Sequence, residues 1–226
     1  TLIKNSAQSM DETTIAEATQ LFQKVIDDYG LSKVSKLYRE PKKYEEHAYV
    51  LEYLPHGRAG APRTSHSSSG VLQLIGEEYF TLLEASPLPD REYNIKDRLF
   101  VGKGDRANVG HILGRIGFNA LYSAGKEELQ SIIELIVQNN EERFISFVNE
   151  SVSLTPRMHS LELIPGIGKR LMFQILDLRE RALFESFEDL KERANLSDPV
   201  KLIGRRVLKE LSEEQKYYIF TRPMQS

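Results

Sequence analysis

The sequence predicts an α+β protein in which a small antiparallel sheet or barrel precedes a helical region. Between residues 44 and 104, short runs rich in Tyr, Val, Leu and Ile are separated by turn residues, a pattern typical of strands. After residue 125, apolar residues recur three and four positions apart, as they do on one face of a helix. The chain has 226 residues, 40% of them hydrophobic, which is enough to fill a core.

These patterns divide the chain into four regions. Residues 11–29 carry apolar side chains at helical spacing ahead of Gly30, which indicates an amphipathic helix. The connecting region has about four more acidic than basic side chains, whereas the last region is slightly basic. The predicted regions are an N-terminal amphipathic helix and linker (1–41), a β domain (42–124), acidic connecting helices (125–150) and a tandem of helical hairpins (151–226).

Four strands are expected in the β domain, at "HAYVLEYL", "GVLQLIG", "YFTLLEA" and "RLFVGKG". "IGEEY" at 75–79 predicts a tight connection between two of them. The stretch 56–70 has too little apolar surface to pack, so it is predicted to be a mobile loop. Lys103 lies between two glycines where the last strand ends; it is either a phosphate donor or a simple turn lysine.

Composition excludes several classes of protein and site. The chain has no cysteine, which rules out disulfides, cysteine-ligated zinc, iron–sulfur clusters and a thiol nucleophile. No apolar run is long enough to span a membrane and no secretory signal is visible, so a soluble, cytoplasmic protein without membrane association is expected. There is no Walker A loop, and the five histidines lack metal-ligand spacing. We therefore predict no catalytic residue, metal or small-molecule cofactor.

The stretch "LELIPGIGKRLMFQIL" (161–176) joins two apolar runs through a Gly-x-Gly corner. Thr155 and Pro156 suit the N-cap and first turn of a helix from about 156 to Ile164. A second helix is expected from about Gly168, with Leu171, Met172, Ile175 and Leu176 facing inward. Two helices joined by a tight glycine corner form a hairpin.

The start of that second helix is predicted to bind an anion. Its first amides have no carbonyl partner within the helix, and the glycines Gly166 and Gly168 leave nothing to shield them. The positive end of the helix dipole lies behind these amides, and Lys169 and Arg170 add positive charge. A nucleic-acid phosphate fits such a site, and the backbone is then bound without sequence preference.

A second copy of the hairpin is predicted at "FEDLKERANLSDPVKLIGRRVLKEL" (187–211), with Asp198 as cap and Pro199 in the first turn. It has "NLSDP" where Gly-x-Gly is expected, so its amide site is doubtful. Lys201, Arg205 and Lys209 follow one another at four-residue intervals and form a cationic stripe. This stripe is either a solvated outer face or a second phosphate contact.

"LIPGIGKRLMFQIL" resembles the helix-hairpin-helix motif, whose hallmark is a hydrophobic–x–Gly–hydrophobic–Gly turn. In that family the turn contacts backbone phosphate. The resemblance makes Gly166 and Gly168 the phosphate-facing glycines and Ile167 the apolar plug between them. Lys169 and Arg170 then lie at the start of the second helix.

Six segments in the same order, "YEEHAYVLEYLP", "IGEEYFTLLE", "RLFVGKGDR", "RMHSLELIPGIGK", "FESFEDL" and "KYYIF", resemble the archaeal domain-of-unknown-function 655 family. This resemblance covers about Tyr44 to Phe220. It implies an OB-like antiparallel β-barrel followed by an all-α helix-hairpin-helix domain. It also implies nucleic-acid binding, more in keeping with RNA in a translation or ribosome-maturation setting than with DNA.

Three classes of function follow. The first is a nucleic-acid-binding protein that holds phosphates at Gly166, Ile167, Gly168, Lys169 and Arg170, with Lys201, Arg205 and Lys103 as further contacts. Exposed strand aromatics would stack unpaired bases, the candidates being Tyr49, Tyr53, Tyr79, Phe80 and Phe100. The second is an adaptor that binds a ribosomal or other protein through the hairpins and the N-terminal helix. The third, disfavoured, is a DNA-repair-type enzyme using Asp189, Asp198 or Lys169.

Overall fold

Strand β1 (His47–Leu54) is an inner strand of a sheet, and its apolar side chains point to both faces. Tyr49 and Leu51 are buried on one face, and Ala48 and Val50 are buried on the other. The computed structural model describes residues 44–57, 70–104 and 106–222. The helix predicted over 11–29 and most of the 56–70 loop lie outside these residues.

Four more strands complete the sheet: β2 (Val71–Gly76), β3 (Leu82–Ala85), β4 (Arg98–Phe100) and β5 (Ile112–Arg115). Every pairing is antiparallel, and the order is β4-β1-β2-β3-β5. The four predicted strands are confirmed, although two of them are shorter than expected, whereas β5 was not predicted. The fold is α+β. In the described part of the chain β4 and β5 are the two edges, so the sheet is open and the expected barrel is not closed.

Both faces of the sheet are covered. Helices pack on the face that carries Tyr49, Leu51 and Leu82. The segment between β3 and β5 covers the other face, where Tyr93, Val101 and Val109 are buried against the strands. The side chains of β2 are therefore buried throughout its length.

Helices α1 (Ser123–Asn139) and α2 (Glu141–Glu150) confirm the helical prediction for 125–150, with the break at Asn140. A single 3-10 turn (Phe118–Ala120) precedes them. The buried stripe of α1 lies between β1 and a C-terminal helix, α5 (Pro199–Ser212). Its members are Leu129, Ile132, Ile133, Ile136 and Val137.

The last third contains a small hairpin of β6 (Ser153–Thr155) and β7 (Met158–His159), followed by a 3-10 helix (Ser160–Leu163). Helices α3 (Lys169–Arg181), α4 (Phe187–Ala194) and α5 follow. The second predicted helix and the helix pair of 187–211 are confirmed. None of the helices in residues 44–57, 70–104 and 106–222 combines the length and apolar composition needed to cross a bilayer.

The helix predicted from 156 to Ile164 is wrong. Thr155 ends β6, and Pro156 and Arg157 form the turn to β7, because the φ angle that proline imposes suits a tight turn as well as a first helical turn. The capping is done by His159, whose Nδ1 accepts a hydrogen bond from the Leu161 amide at 3.2 Å. The Glu162 carboxylate in turn accepts from the His159 amide at 2.8 Å.

One hydrophobic core joins the sheet to the helices, since Tyr49 and Ile75 of the sheet belong to the same cluster as Ile203 and Phe220. The chain packs across the predicted region boundaries through this core, and the boundaries themselves stay predictions. A buried ion pair between Arg206 Nε and Glu210 Oε1, at 2.8 Å, secures the C-terminal segment. Glu210 also accepts from the amides of three residues of that segment: Ile219, Phe220 and Thr221.

Candidate nucleic-acid interface

The candidate site begins at a glycine turn, residues Ile164–Gly168, which connects the 3-10 helix to α3. Gly166 has φ +92°, a backbone conformation that favours glycine. The Ile167 amide donates to the Ile164 carbonyl at 3.0 Å, which closes the turn. Ile167 is buried in the core, as the plug role predicts, while Gly166 and Gly168 are exposed. The buried Ile167 side chain thus holds the turn against the core, and both glycines are accessible to solvent.

Gly168 is a glycine that the fold itself does not require. It is the N-cap of α3, with φ −84° and ψ 176°, which is extended backbone that any residue adopts. A Cβ built at this position meets no other atom within 4 Å. The space in front of the helix start is therefore open.

The first amides of α3 point into that space. No side chain caps this end of the helix, and the Met172 amide, which donates to the Gly168 carbonyl at 2.9 Å, makes the first helical bond. The preceding amides of Lys169, Arg170 and Leu171 have no carbonyl partner within the helix. They form the positive end of a helix of 13 residues, so the position favours an anion.

The charge around these amides is positive. Lys169 and Arg170 are exposed in the first turn of α3, and that turn holds no acidic residue. Phosphate oxygens that accept from the amides would therefore meet two cations and no carboxylate in the same turn. These five residues are consecutive in the sequence, and their role in binding stays a prediction.

Helix α5 lies beside the glycine turn. A Cβ on Gly166 would be 3.3 Å from Leu202 Cδ2, so the turn packs directly against the first turns of α5. Lys201 precedes Leu202 in the chain and Arg205 follows it by three residues, and both are exposed. The cationic stripe of α5, which Lys209 continues, therefore runs along a helix that touches the turn.

The second turn, Asn195–Asp198, resembles the first but has one more residue before its cap, and the cap differs. Asn195 has φ +52° where the first turn has Gly166, and Leu196 is buried as Ile167 is. Here, however, the cap has a side chain: Asp198 Oδ1 accepts from the Lys201 amide at 3.1 Å. Asp198 Oδ2 also lies 3.3 Å from Lys201 Nζ. An internal carboxylate already occupies the anion position of this helix.

The protonation of Asp198 reflects these contacts. Partial burial by itself raises the pKa of a carboxyl group, but the backbone amide and the ammonium group of Lys201 favour the charged form more strongly. Together they hold the pKa of Asp198 below its usual range. The carboxylate is therefore ionised at neutral pH, and it pairs with Lys201 at the exposed start of α5.

Lys103 lies apart from these residues. It follows β4 in the loop whose Val101 and Val109 pack on the sheet face away from the helices. Its neighbour Gly104 has φ +133°, so a glycine is needed to turn the chain there. Lys201 and Arg205 lie on the helix that contacts the glycine turn, whereas Lys103 lies in the loop after β4.

The five strand aromatics offer no exposed stacking surface. Tyr49 and Phe80 are buried in the core, and Tyr53, Tyr79 and Phe100 are half-buried. The half-buried rings have other partners: Tyr53 packs on Tyr93, Phe100 on His47, and the Arg222 guanidinium lies 4.4 Å from the Tyr79 ring centroid. Two of the five candidates are thus excluded as stacking surfaces and the other three are only partly accessible, because both faces of the sheet are covered.

The most exposed tyrosine or phenylalanine in the described part of the chain is Phe173, with 59% of its surface accessible. It lies on α3, and we did not predict it as a contact. Its position off the inward stripe of Met172 and Ile175 was the signal that could have identified it.

Other arginines of this region have structural roles. Arg179 donates to the carbonyls of Val148 and Ser151 at 2.8 and 2.9 Å, which caps the end of α2. Arg193 donates to the carbonyls of Leu178 and Ala182 and so caps the end of α3. These cations are occupied within the protein, unlike Lys169 and Arg170 in the first turn of α3.

Two of the three residues proposed for catalysis are held in structural contacts as well. Asp189 is paired with Arg193 at 2.9 Å, and Asp198 is the α5 cap described above. Within residues 44–57, 70–104 and 106–222, no group of three His, Asp or Glu side chains is placed to hold a metal ion.

Comparison with known proteins places the chain in a family. Residues 44–222 match the family model described as "Protein of unknown function (DUF655)". The chain belongs to the DUF655 family. Over 185 residues it is 37% identical to the uncharacterized protein MJ0038 of Methanocaldococcus jannaschii, covering 81% of this chain and 82% of that protein.

The DUF655 fold has also been solved in a relative. The crystal structure of Af1531 from Archaeoglobus fulgidus is 39% identical, with a TM-score of 0.72, and the match covers 79% of this chain and all of that one. The resemblance seen in the sequence is thus confirmed, and both relatives are archaeal. Their names state no activity, so the function has to be argued from the site.

Proposed function

We propose that this DUF655 protein binds nucleic acid without sequence specificity by holding backbone phosphate at the glycine turn. The observation that carries the proposal is Gly168: a helix start with no side-chain cap and with open space where a side chain would be. The amides of α3, together with Lys169 and Arg170, supply donors and charge for a phosphate. No base edge is read by these groups, so binding depends on backbone and shape.

RNA is the preferred target in this proposal, with DNA as the alternative. The preference comes from the family resemblance and its translation or ribosome-maturation setting, since no residue of the site distinguishes a 2′-hydroxyl. Two finer features of the fold support the nucleic-acid assignment. Segment Ser160–Arg181 corresponds to a helix-hairpin-helix whose first arm is a 3-10 turn. Joining β4 to β5 would close the sheet into the five-stranded arrangement of an OB fold.

A protein-interaction adaptor is the second candidate. It is favoured by three exposed apolar side chains around the β6–β7 hairpin, those of Val152, Leu154 and Met158. The two candidates differ in their response to salt. Phosphate binding weakens steeply between low and physiological ionic strength, whereas an apolar interface changes little.

The test of the proposal is the variant Gly168→Asp. It places a carboxylate at the cap of α3, as Asp198 does at the cap of α5, so it fills the anion position from within. Aspartate is a good N-cap, so the thermal midpoint stays constant or rises. We expect the affinity for labelled RNA, measured by fluorescence anisotropy at low salt, to fall about tenfold or more.

The matched control is Asn94→Asp, which adds the same charge at an exposed position in the loop between β3 and β4. It is expected to bind RNA as the parent does. Unchanged affinity in Gly168→Asp, or equal losses in both variants, would remove the glycine turn as the binding site. Binding of a protein ligand that is insensitive to salt, with no RNA or DNA binding, would favour the adaptor.

A further inference from the structure

The aromatic ring of Phe173 is exposed beside the proposed phosphate site. Met172 and Ile175 turn into the core, while Phe173 faces solvent at 59% accessibility. In the described part of the chain, Phe173 contacts no other aromatic ring and no cation, in contrast to Tyr79 or Phe184. More than half of the surface of Phe173 is accessible, so a flat ligand can reach the ring.

The position of Phe173 along α3 relates it to the cations. Residues three and four apart on a helix are neighbours, and Phe173 follows Arg170 by three residues and Lys169 by four. Side chains on a helix lean toward its N-terminus, so the ring of Phe173 covers the first turn of α3. It therefore lies near the end of the helix that presents the amides.

We infer that Phe173 stacks on an unpaired base of a strand whose phosphate is held at the glycine turn. This inference rests on the proposed function and specifies its ligand as single-stranded nucleic acid. In a duplex the bases are already stacked on one another, so the ring has no free base face to contact. Every base has a π-face, so the contact adds affinity without sequence preference.

The inference assigns to Phe173 the base-stacking role for which the strand aromatics were candidates. A single-strand binder combines a cationic track with aromatic side chains on which bases stack. In this protein both features occur on α3, and the covered sheet provides neither.

A tryptophan substitution gives a direct probe, because the chain contains no tryptophan. Phe173→Trp places the sole indole at the proposed stacking position. Its fluorescence is expected to be quenched by a short oligouridylate and not by a matched oligomer of abasic sugar phosphates. The control is Leu183→Trp, since Leu183 is 63% exposed just beyond the other end of α3. Its emission is expected to stay constant with both oligomers.

Affinity provides the second measurement. Phe173→Ala is expected to weaken single-strand binding about 5- to 150-fold, the range measured for base–aromatic stacking. Duplex binding and the salt slope are expected to stay as in the parent, because the phosphate contacts are intact. Phe173→Leu, which keeps an apolar side chain without a π-face, is expected to behave like Phe173→Ala, and Phe173→Tyr like the parent.

The outcomes separate this inference from the proposed function. If the parent binds single strands but Phe173→Ala binds them equally well and Phe173→Trp is not quenched, the stacking role is refuted and the phosphate site stands. Equal losses of single-strand and duplex binding in Phe173→Ala also refute the stacking role. If the parent binds no nucleic acid at all, both fail.

Discussion

Asp198 and Lys201 make two contacts that close the second turn against an outside anion. The Lys201 amide donates to Asp198 Oδ1 at 3.1 Å, and Lys201 Nζ lies 3.3 Å from Oδ2. The first turn has Gly168 in the equivalent cap and no such carboxylate. The two turns thus differ in their cap residue, and we expect only the helix start capped by Gly168 to accept a phosphate.

Asp198→Asn is expected to strengthen nucleic-acid binding about two- to fivefold at low salt, as the loss of one screened charge repulsion predicts. Asparagine caps a helix as well as aspartate does, so the α5 start is preserved while the negative charge is removed. Anisotropy titration of labelled RNA measures the effect. Asp90→Asn, an exposed residue with φ +56° that asparagine also adopts, is the control and is expected to change nothing. Identical affinities for parent and Asp198→Asn would mean that no phosphate approaches the second turn.

The same substitution has a consequence for stability in acid. Because the pKa of Asp198 is lowered on folding, the folded state binds fewer protons than the unfolded chain in the interval between the two pKa values. The stability from this carboxylate is present above about pH 3.9, the ordinary aspartate value, and is lost as the pH falls through the lowered value. We therefore expect the free energy of unfolding, measured with urea, to fall less steeply with decreasing pH below pH 4 in Asp198→Asn than in the parent.

Gly166 and Gly168 are expected to respond differently to substitution. Gly166→Ala lowers the free energy of unfolding by about 1–2 kcal/mol, because φ +92° is unfavourable for alanine and its Cβ crowds Leu202. Gly168→Ser raises the free energy of unfolding by a few tenths of a kcal/mol, since serine is the better cap and its Cβ meets open space. Urea titration at neutral pH compares the variants. A comparable loss of unfolding free energy in Gly166→Ala and Gly168→Ser would show that the fold needs glycine at position 168 as well.

The site was predictable wherever it depends on local sequence. Gly166, Gly168 and Lys169 are consecutive or nearly so, and a helix start exposes its amides whatever surrounds it. Asp198 was likewise predicted as a cap. That its carboxylate would fill the anion position and pair with Lys201 depends on side-chain geometry, which residue types alone do not specify.

The parts of the fold that were missed depend on longer-range packing. β5 was missed because it is only four residues long and has a glycine inside it, at Gly114. It forms a strand only through its pairing with β3, which local sequence does not reveal. The capping role of His159 was missed because histidine is outside the usual set of cap residues. Phe173 was overlooked because the exposed aromatics were expected on strands, although the unbroken apolar run Ala48–Leu51 of β1 indicates a sheet covered on both faces.

Lys169 and Arg170 are expected to set the salt dependence of binding. Each is expected to contact one phosphate, so Lys169→Gln and Arg170→Gln each reduce the slope of log K against log salt by about 1. The slope is measured from titrations between low and physiological ionic strength. Lys103→Gln removes the same charge from the loop on the other side of the sheet and is expected to keep the parent slope. A reduced slope in Lys103→Gln would mean that this lysine also contacts a phosphate.

His159 is expected to make stability depend on pH near neutrality. Burial lowers the pKa of its imidazole, and the charge of Arg179 lowers it further. In the unfolded chain the His159 imidazole takes up a proton near pH 6.5, whereas in the folded protein it does so only at lower pH. The free energy of unfolding is therefore highest above pH 6.5 and falls as the pH drops below it. His159→Asn keeps an acceptor for the Leu161 amide without titrating. We expect this variant to be less stable than the parent at pH 7.5 but to lose less stability between pH 7.5 and pH 5. Urea midpoints across this range provide the comparison, with His111→Asn at an exposed position as the control. A parent slope that persists in His159→Asn would assign the pH dependence to another group.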